Sequence, residues 1–163
     1  MKKLLLGLLA LSMLLTGCTS KGSEGKDVTI DLKALEVEVA NAVDADFASV
    51  YEQFSPMYDA VWAEQFLYMT SDLYEELLVV GPNPMMSNRG FEVVMVKAAE
   101  GKEEDVAAAL QKRVDYGKGP NTEFYGSMEA FNKIVNAGSY YFLVAGNEAL
   151  VTPIQTAIDA ASK

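Results

Sequence analysis

The beginning of the chain separates into an apolar run and a polar run. Residues 4–15 are apolar except for one glycine and one serine, and they follow a pair of lysines. This run is too short for a transmembrane helix, which needs about 20 residues, but it suits the apolar region of a signal peptide. The pattern therefore predicts a signal peptide over residues 1–17.

The second half of the chain alternates β-rich runs with helical patterns. Residues 91–98 (FEVVMVKA) and 139–146 (SYYFLVAG) are rich in β-branched and aromatic side chains and predict two strands. Each run is followed by apolar positions at helical spacing, which predict helices over residues 103–116 and 150–161. The half thus contains two strand-turn-helix units.

A further helix is predicted between these two units. Phe131, Ile134 and Val135 lie at the spacing of one helix face. Ser127 can cap the start of this helix, and Gly138 can end it.

The first half has weaker signals. Apolar residues at helical spacing predict a helix over residues 31–43 with Asp31 as its N-cap. Residues 55–56, Ser-Pro, are typical of a helix start, because proline is favoured at the first helical position. Residues 77–80 predict a short strand, and residues 81–90, with two prolines and two glycines, predict a loop.

Together these elements predict an α+β fold in a single domain over residues 31–163. Because helices separate the strands, the expected sheet is small and either mixed or antiparallel, with helices packed over one face. Residues 19–27 are polar, rich in glycine and serine, and have no apolar side chain to bury. Residues 18–30 are therefore predicted to be a flexible tether.

The residue types exclude several kinds of site. The chain has no histidine, so Ser-His-Asp and Cys-His catalytic sites and zinc sites built on His and Cys are excluded. Asp44 and Asp46 could begin a calcium loop, but Ser49 and Ser55 stand where that loop needs glycine and glutamate. The net charge of −10 disfavours nucleic acid as a partner. We expect no metal site and no cofactor.

The one cysteine lies at the junction of the apolar and polar runs. Residues 15–18, LTGC, resemble the bacterial lipobox, the signal for lipidation and cleavage of exported lipoproteins. The resemblance implies that Cys18 carries a diacylglycerol and begins the mature chain. Each buried methylene contributes about 0.8 kcal/mol to membrane binding, so several acyl chains would hold the protein firmly. We therefore expect a lipid anchor at the extracytoplasmic face of the cell membrane.

A second resemblance involves the region after residue 85. Residues 92–97 form an E-hydrophobic-K pattern, Lys112 and Arg113 end the next helical pattern, Tyr125 follows, and residues 138–140 read G-x-Y. This order resembles a family of small Gram-positive surface lipoproteins whose domain has no assigned function. The resemblance implies one anchored α+β domain, and it brings no catalytic residue.

Arg113 and Tyr125 are the candidate ligand-binding residues, because they could face each other where the helix crosses to the following loop. A structural contact of Arg113 with a tyrosine or a carboxylate is the interpretation that we prefer, and ligand recognition by Arg113 is the alternative. Lys97 ends a predicted strand, where a buried lysine could act as a nucleophile. The alternation along that strand does not force it inward, so we expect Lys97 to be exposed.

Two classes of function remain open. A non-catalytic binding or accessory module of the cell envelope would contact an envelope protein or a small ligand. A hydrolase that uses carboxylates or a lysine would also function without histidine. We expect the binding module, because the chain lacks catalytic signatures, and we assign no catalytic residue.

Overall fold

The computed structural model describes residues 28–84, 90–118 and 131–163, which form helices on both sides of a four-stranded antiparallel sheet. This architecture confirms the predicted α+β fold. The α-helices are α1 (Leu32–Val43), α2 (Ala45–Ala48), α3 (Ala60–Trp62), α4 (Glu103–Gly117) and α5 (Val151–Ala161). The strands are β1 (Tyr74–Val80), β2 (Glu92–Ala98), β3 (Asn132–Ala137) and β4 (Tyr140–Ala145). Short 3₁₀ turns cover Tyr51–Gln53, Ser55–Met57 and Glu148–Leu150, and a π-helix, Ala63–Leu67, continues α3.

The sheet has the strand order β1-β2-β4-β3, and every neighbouring pair is antiparallel. Strands β2 and β3 therefore run parallel to each other with β4 between them. The two central strands are paired on both sides, and Val94 lies opposite Leu143 in their register. This order places the start of β2 beside the end of β4, at one end of the sheet.

Both faces of the sheet are covered, which corrects the prediction that helices pack over one face. Val94 and Val96 of β2 point to a core formed with α3, the π-helix and α4. Val93 and Met95 point to a second core formed with α1 and α5. The reason is that β2 is apolar at both odd and even positions, so each side must be shielded from water.

The predicted helix around Phe131 to Val135 is wrong, because these residues belong to or precede strand β3. Ala137 pairs with Tyr140, so only Gly138 and the next residue connect β3 to β4. Gly138 has φ +57, a conformation that a two-residue hairpin turn requires. Ser127, the proposed cap, lies outside the described residues.

The segment from Ser55 to Tyr68 also differs from the prediction of a helix starting at Ser55. Ser55 begins a single 3₁₀ turn, and the helix starts later, where the Asp59 carboxylate accepts a hydrogen bond of 2.8 Å from Trp62 N. The π-helix then ends at Tyr68, whose backbone is left-handed.

The remaining predictions for regular elements agree with the structure. Asp31 caps α1 by accepting hydrogen bonds from two backbone N–H groups. Strand β1 extends the predicted residues 77–80 toward the N terminus. Ile30, near the end of the predicted tether, is buried in the core under α1 and α5, so the folded part includes residues before Asp31. Residues 85–89 of the predicted loop lie outside the described residues.

Candidate functional site

Arg113, one of the two predicted ligand-binding residues, is fully buried on α4 and pairs with Glu92, the first residue of β2. Arg113 Nε donates to Glu92 Oε1 at 2.9 Å, and Nη2 donates to Oε2 at 2.6 Å. The guanidinium carbon also lies 5.9 Å from the Trp62 ring centroid. This two-pronged geometry favours the structural interpretation of Arg113, since planar guanidinium and carboxylate groups match in this way.

Tyr125 and Cys18 lie outside the described residues. A contact between Arg113 and Tyr125 and the lipidation of Cys18 therefore stay predictions.

Lys97 is the partly exposed residue of β2, and it donates a hydrogen bond to the Glu75 carboxylate of β1. This hydrogen bond and the charge of Glu75 raise the pKa of Lys97 above its ordinary value. A lysine nucleophile must be neutral and needs a lowered pKa. The surroundings of Lys97 therefore disfavour the nucleophile interpretation.

Glu36 is the half-buried carboxyl group at the junction of α1, the turn at Ser55 and β1. Ser55 Oγ donates to Glu36 Oε1 at 3.3 Å. Burial raises the pKa of Glu36, and the nearby charges of Glu52 and Glu76 raise it further, against the lowering effects of Ser55 and Lys33.

The Glu36 pKa predicts a pH dependence of stability. Because the folded protein binds this proton more tightly than the unfolded chain, the free energy of unfolding falls as pH rises through the raised pKa. Glu36→Gln keeps an oxygen acceptor for Ser55 and removes the charge. We expect it to raise the free energy of unfolding at neutral pH and to leave it unchanged below about pH 4, where the carboxyl group is protonated in both the folded and the unfolded chain. Urea denaturation as a function of pH measures this difference. Glu38→Gln, an exposed change on the same helix, is the control, and an equal gain from both variants would contradict the explanation.

A pocket on the opposite side of the sheet combines the most unusual backbone with aromatic and charged side chains. It occupies about 420 Å³ and opens broadly to solvent. Its lining comes from the end of the π-helix, the segment before β1 and one face of α4. The lining residues are Tyr68, Leu73, Asp105, Ala108, Ala109 and Lys112.

Tyr68 is held in the left-handed region by its neighbours. It has φ +60 and ψ +31, and it is the only non-glycine residue with positive φ in the described part of the chain. Leu67 and Met69 on either side are fully buried, and Met69 N donates to Ala63 O at 3.2 Å. Anchoring both neighbours in the core fixes the backbone turn and leaves the Tyr68 side chain at the pocket. Strained residues and π-helical turns are concentrated at functional sites.

The α4 wall of the pocket follows from helix geometry. Asp105, Ala108, Ala109 and Lys112 have the spacing i, i+3, i+4 and i+7, which places them along one stripe of the helix. The Lys112 ammonium lies 3.7 Å from the centroid of the Tyr68 ring, in a cation–π contact. Tyr116, one turn further, meets the Tyr68 ring edge-on with the centroids 6.4 Å apart.

A second groove, of about 400 Å³, lies between the start of the domain and α5. Its walls are mainly alanine and threonine side chains with two acidic residues, Asp31 and Glu38. The Asp31 carboxylate already caps α1. We therefore take the pocket beside Tyr68, which we call the Tyr68 pocket, as the candidate site.

The sequence alone does not predict the Tyr68 pocket. Lys112 marks only the end of a helical pattern, and Tyr68 carries no local signal for a left-handed backbone. The stripe from Asp105 to Lys112 was readable from the spacing, but its partner wall is formed by residues about 40 positions earlier.

The chain matches no family model, no curated protein and no solved structure in the comparisons that we made. The resemblance to surface lipoproteins therefore stays a prediction. None of the helices in the described part of the chain is long and apolar enough to cross a membrane. The same residues contain no cluster of three or more cysteine or acidic side chains that could hold a metal ion.

Proposed function

We propose that this protein is a lipoprotein anchored through Cys18 at the extracytoplasmic face of the cell membrane, with a non-catalytic binding or accessory module as its folded domain. The anchor is supported by the lipobox-like residues 15–18 after an apolar run of signal-peptide length. The module would bind an envelope protein or a small ligand in the Tyr68 pocket.

The left-handed Tyr68 beside an aromatic and cationic pocket is the observation that carries the binding role. A strained residue persists only where surrounding packing holds it, and here that packing presents Tyr68 and Lys112 together. Small-molecule sites are usually lined by apolar walls with a few polar groups, and the Tyr68 pocket has both.

The alternative, a hydrolase using carboxylates or a lysine, has less support. Its lysine candidate, Lys97, has a raised pKa because of Glu75, which keeps the amine protonated. Glu36 has the raised pKa that suits an acid catalyst, but its partners are a serine hydroxyl and further carboxylates at a helix junction.

The anchor is tested by Cys18→Ala. Without the sulfur there is no acceptor for the diacylglycerol, so we expect an uncleaved precursor and complete loss of acyl label. Mass spectrometry of the native N terminus and metabolic labelling with a fatty acid measure both results. Ser20→Ala, two residues further on, is the matched control and should be processed normally. Unchanged processing of Cys18→Ala would overturn the proposed anchor.

Binding in the Tyr68 pocket is tested by site-specific photocrosslinking in cells. A photoreactive amino acid at Ala108, an exposed position in the pocket wall, should acquire an adduct visible by intact-mass spectrometry. The same amino acid at Ala42, an exposed position on α1, should not. Adding Lys112→Met should remove the adduct at Ala108. Equal labelling at both positions, or labelling indifferent to Lys112, would refute the binding role.

A further inference from the structure

The Tyr68 pocket carries opposite charges at its two ends. Asp105 and Lys112 are seven residues apart on the same stripe of α4, and a helix rises 1.5 Å per residue, so their backbones are separated by about 10 Å along the axis. Ala108 and Ala109 lie between them and leave the space above the helix open. A ligand that uses both charges must therefore be extended and carry its own charges at both ends.

No carboxylate in the described part of the chain forms an ion pair with Lys112, the cation of the pocket. Among the described residues, the ion pairs involve Lys97, Lys102 and Arg113, while the Lys112 ammonium lies against the Tyr68 ring. This arrangement holds a positive charge beside an apolar surface in a chain with a net charge of −10. A carboxylate of a ligand would supply the missing opposite charge.

Asp105, the anion of the pocket, can exchange its partner Lys102 for a cation of the ligand. Asp105 Oδ2 lies 3.8 Å from Lys102 Nζ, and the side chains of both residues are well exposed. Exposed ion pairs of this kind contribute little stability, so a ligand ammonium can replace Lys102 at small cost.

The floor between the two charges is apolar. Leu73 packs at the edge of the core beneath the pocket, and Ala109 is buried in the same core. Together with the Tyr68 ring these side chains form a surface for one aliphatic side chain of the ligand.

We propose that the Tyr68 pocket binds a short peptide of about three residues by its free termini. The peptide ammonium would pair with Asp105, the peptide carboxylate with Lys112, and a central apolar side chain would rest against Leu73. An extended chain spans about 3.3–3.6 Å per residue, so three residues span the distance of about 10 Å that separates the Asp105 and Lys112 backbones, whereas the charges of a single amino acid lie much closer together. This inference rests on the proposed binding function and specifies its ligand class.

The test uses the full-length lipoprotein in lipid nanodiscs and calorimetric titration with Ala-Leu-Ala. Four forms of the peptide are compared: free termini, N-acetylated, C-amidated and blocked at both ends. We expect the free form to bind about two- to fivefold more tightly than either singly blocked form, since each block removes one exposed ion pair. Free leucine should bind more weakly than the free tripeptide.

Two variants assign each terminus to its residue. Asp105→Asn should weaken binding of the free peptide about two- to fivefold and abolish the discrimination against the N-acetylated form. Lys112→Met should weaken binding of the free peptide by a similar factor and abolish the discrimination against the C-amidated form. Glu104→Gln, beside Asp105 on α4, and Lys133→Met on β3 remove exposed charges outside the pocket and should leave all four affinities unchanged.

The outcomes separate this inference from the function on which it rests. Equal affinity for all four peptide forms, or no binding of any form, would overturn the peptide inference. If the Ala108 photocrosslink still depends on Lys112 in that case, the pocket binds another ligand and the binding function stands. If the crosslink also fails, both proposals fall.

Discussion

Arg113→Ala is expected to lower the free energy of unfolding by about 3–5 kcal/mol, because it leaves the carboxylate of Glu92 buried without its bidentate partner. Both side chains are essentially inaccessible to water, so the solvent cannot replace the lost contact. Guanidinium denaturation, followed by the fluorescence of the single tryptophan, Trp62, measures the change. Lys112→Ala, at the exposed neighbour on the same helix, removes a cation–π contact, should cost at most about 1 kcal/mol and serves as the control.

The double variant Glu92→Leu/Arg113→Met sharpens the interpretation. Replacing a whole buried ion pair by apolar side chains of similar volume is often neutral or stabilising, so we expect this protein to recover most of the stability lost in Arg113→Ala. Such recovery would show that the cost of Arg113→Ala comes from the unpaired Glu92 carboxylate, and that the fold itself does not need a cation at this position. A cost for Arg113→Ala below 1 kcal/mol would contradict the structural interpretation of the pair.

Gly146→Ala is expected to cost about 2–5 kcal/mol, from a left-handed backbone and from steric overlap together. Gly146 has φ +84, and a Cβ there would overlap Gly90 O and lie 2.8 Å from Phe91 Cα. The contacts are with backbone at the start of β2, which pairs with β4, so a side-chain rotation cannot relieve them.

Gly101→Ala is the matched control for this effect. Gly101 also has a positive φ, of +73, but a Cβ there would meet nothing within 4 Å. We expect it to lose only the conformational part, about 1–2 kcal/mol. Thermal and chemical denaturation of the two variants measures the difference, and equal losses would show that the close approach of the chain at Gly146 contributes nothing.

Local sequence patterns were sufficient to predict the elements that have a clear cap, a clear hydrophobic spacing or an uninterrupted β-rich run. The helix α1 was predictable because Asp31 caps it and its apolar residues repeat at helical spacing. The strands β2 and β4 were predictable from uninterrupted β-rich runs. The same runs indicate burial on both faces, since residues such as Val93 and Val94 are both apolar and both fully buried.

Strand β3 shows why such patterns can mislead. Ile134 and Val135 fit one face of a helix, yet they are also β-branched and follow Phe131 in a run that favours a strand. The free edge of β4 and the two-residue turn at Gly138 decided between them, because pairing with β4 satisfies the backbone of both strands. Gly138 indicates the turn in the sequence, but the sequence does not show that β4 has an unpaired edge beside it.

The candidate site depended even more on distant contacts. Arg113 stood out as a charged residue on a helix, whereas its partner Glu92 comes from a strand 21 positions earlier. Tyr68 became part of a pocket because Leu67 and Met69 are buried on either side of it.

The sequence by itself determined the fold class, most of the helices and strands, and the kinds of chemistry that a chain without histidine cannot perform. Hydrophobic periodicity records which side of a segment is buried, and this information is local. Only the tertiary structure decided that helices cover both faces of the sheet, that Arg113 is neutralised by Glu92, and that Tyr68 and Lys112 meet. Each of these depends on contacts between segments far apart in the chain, whose pairing no single segment specifies.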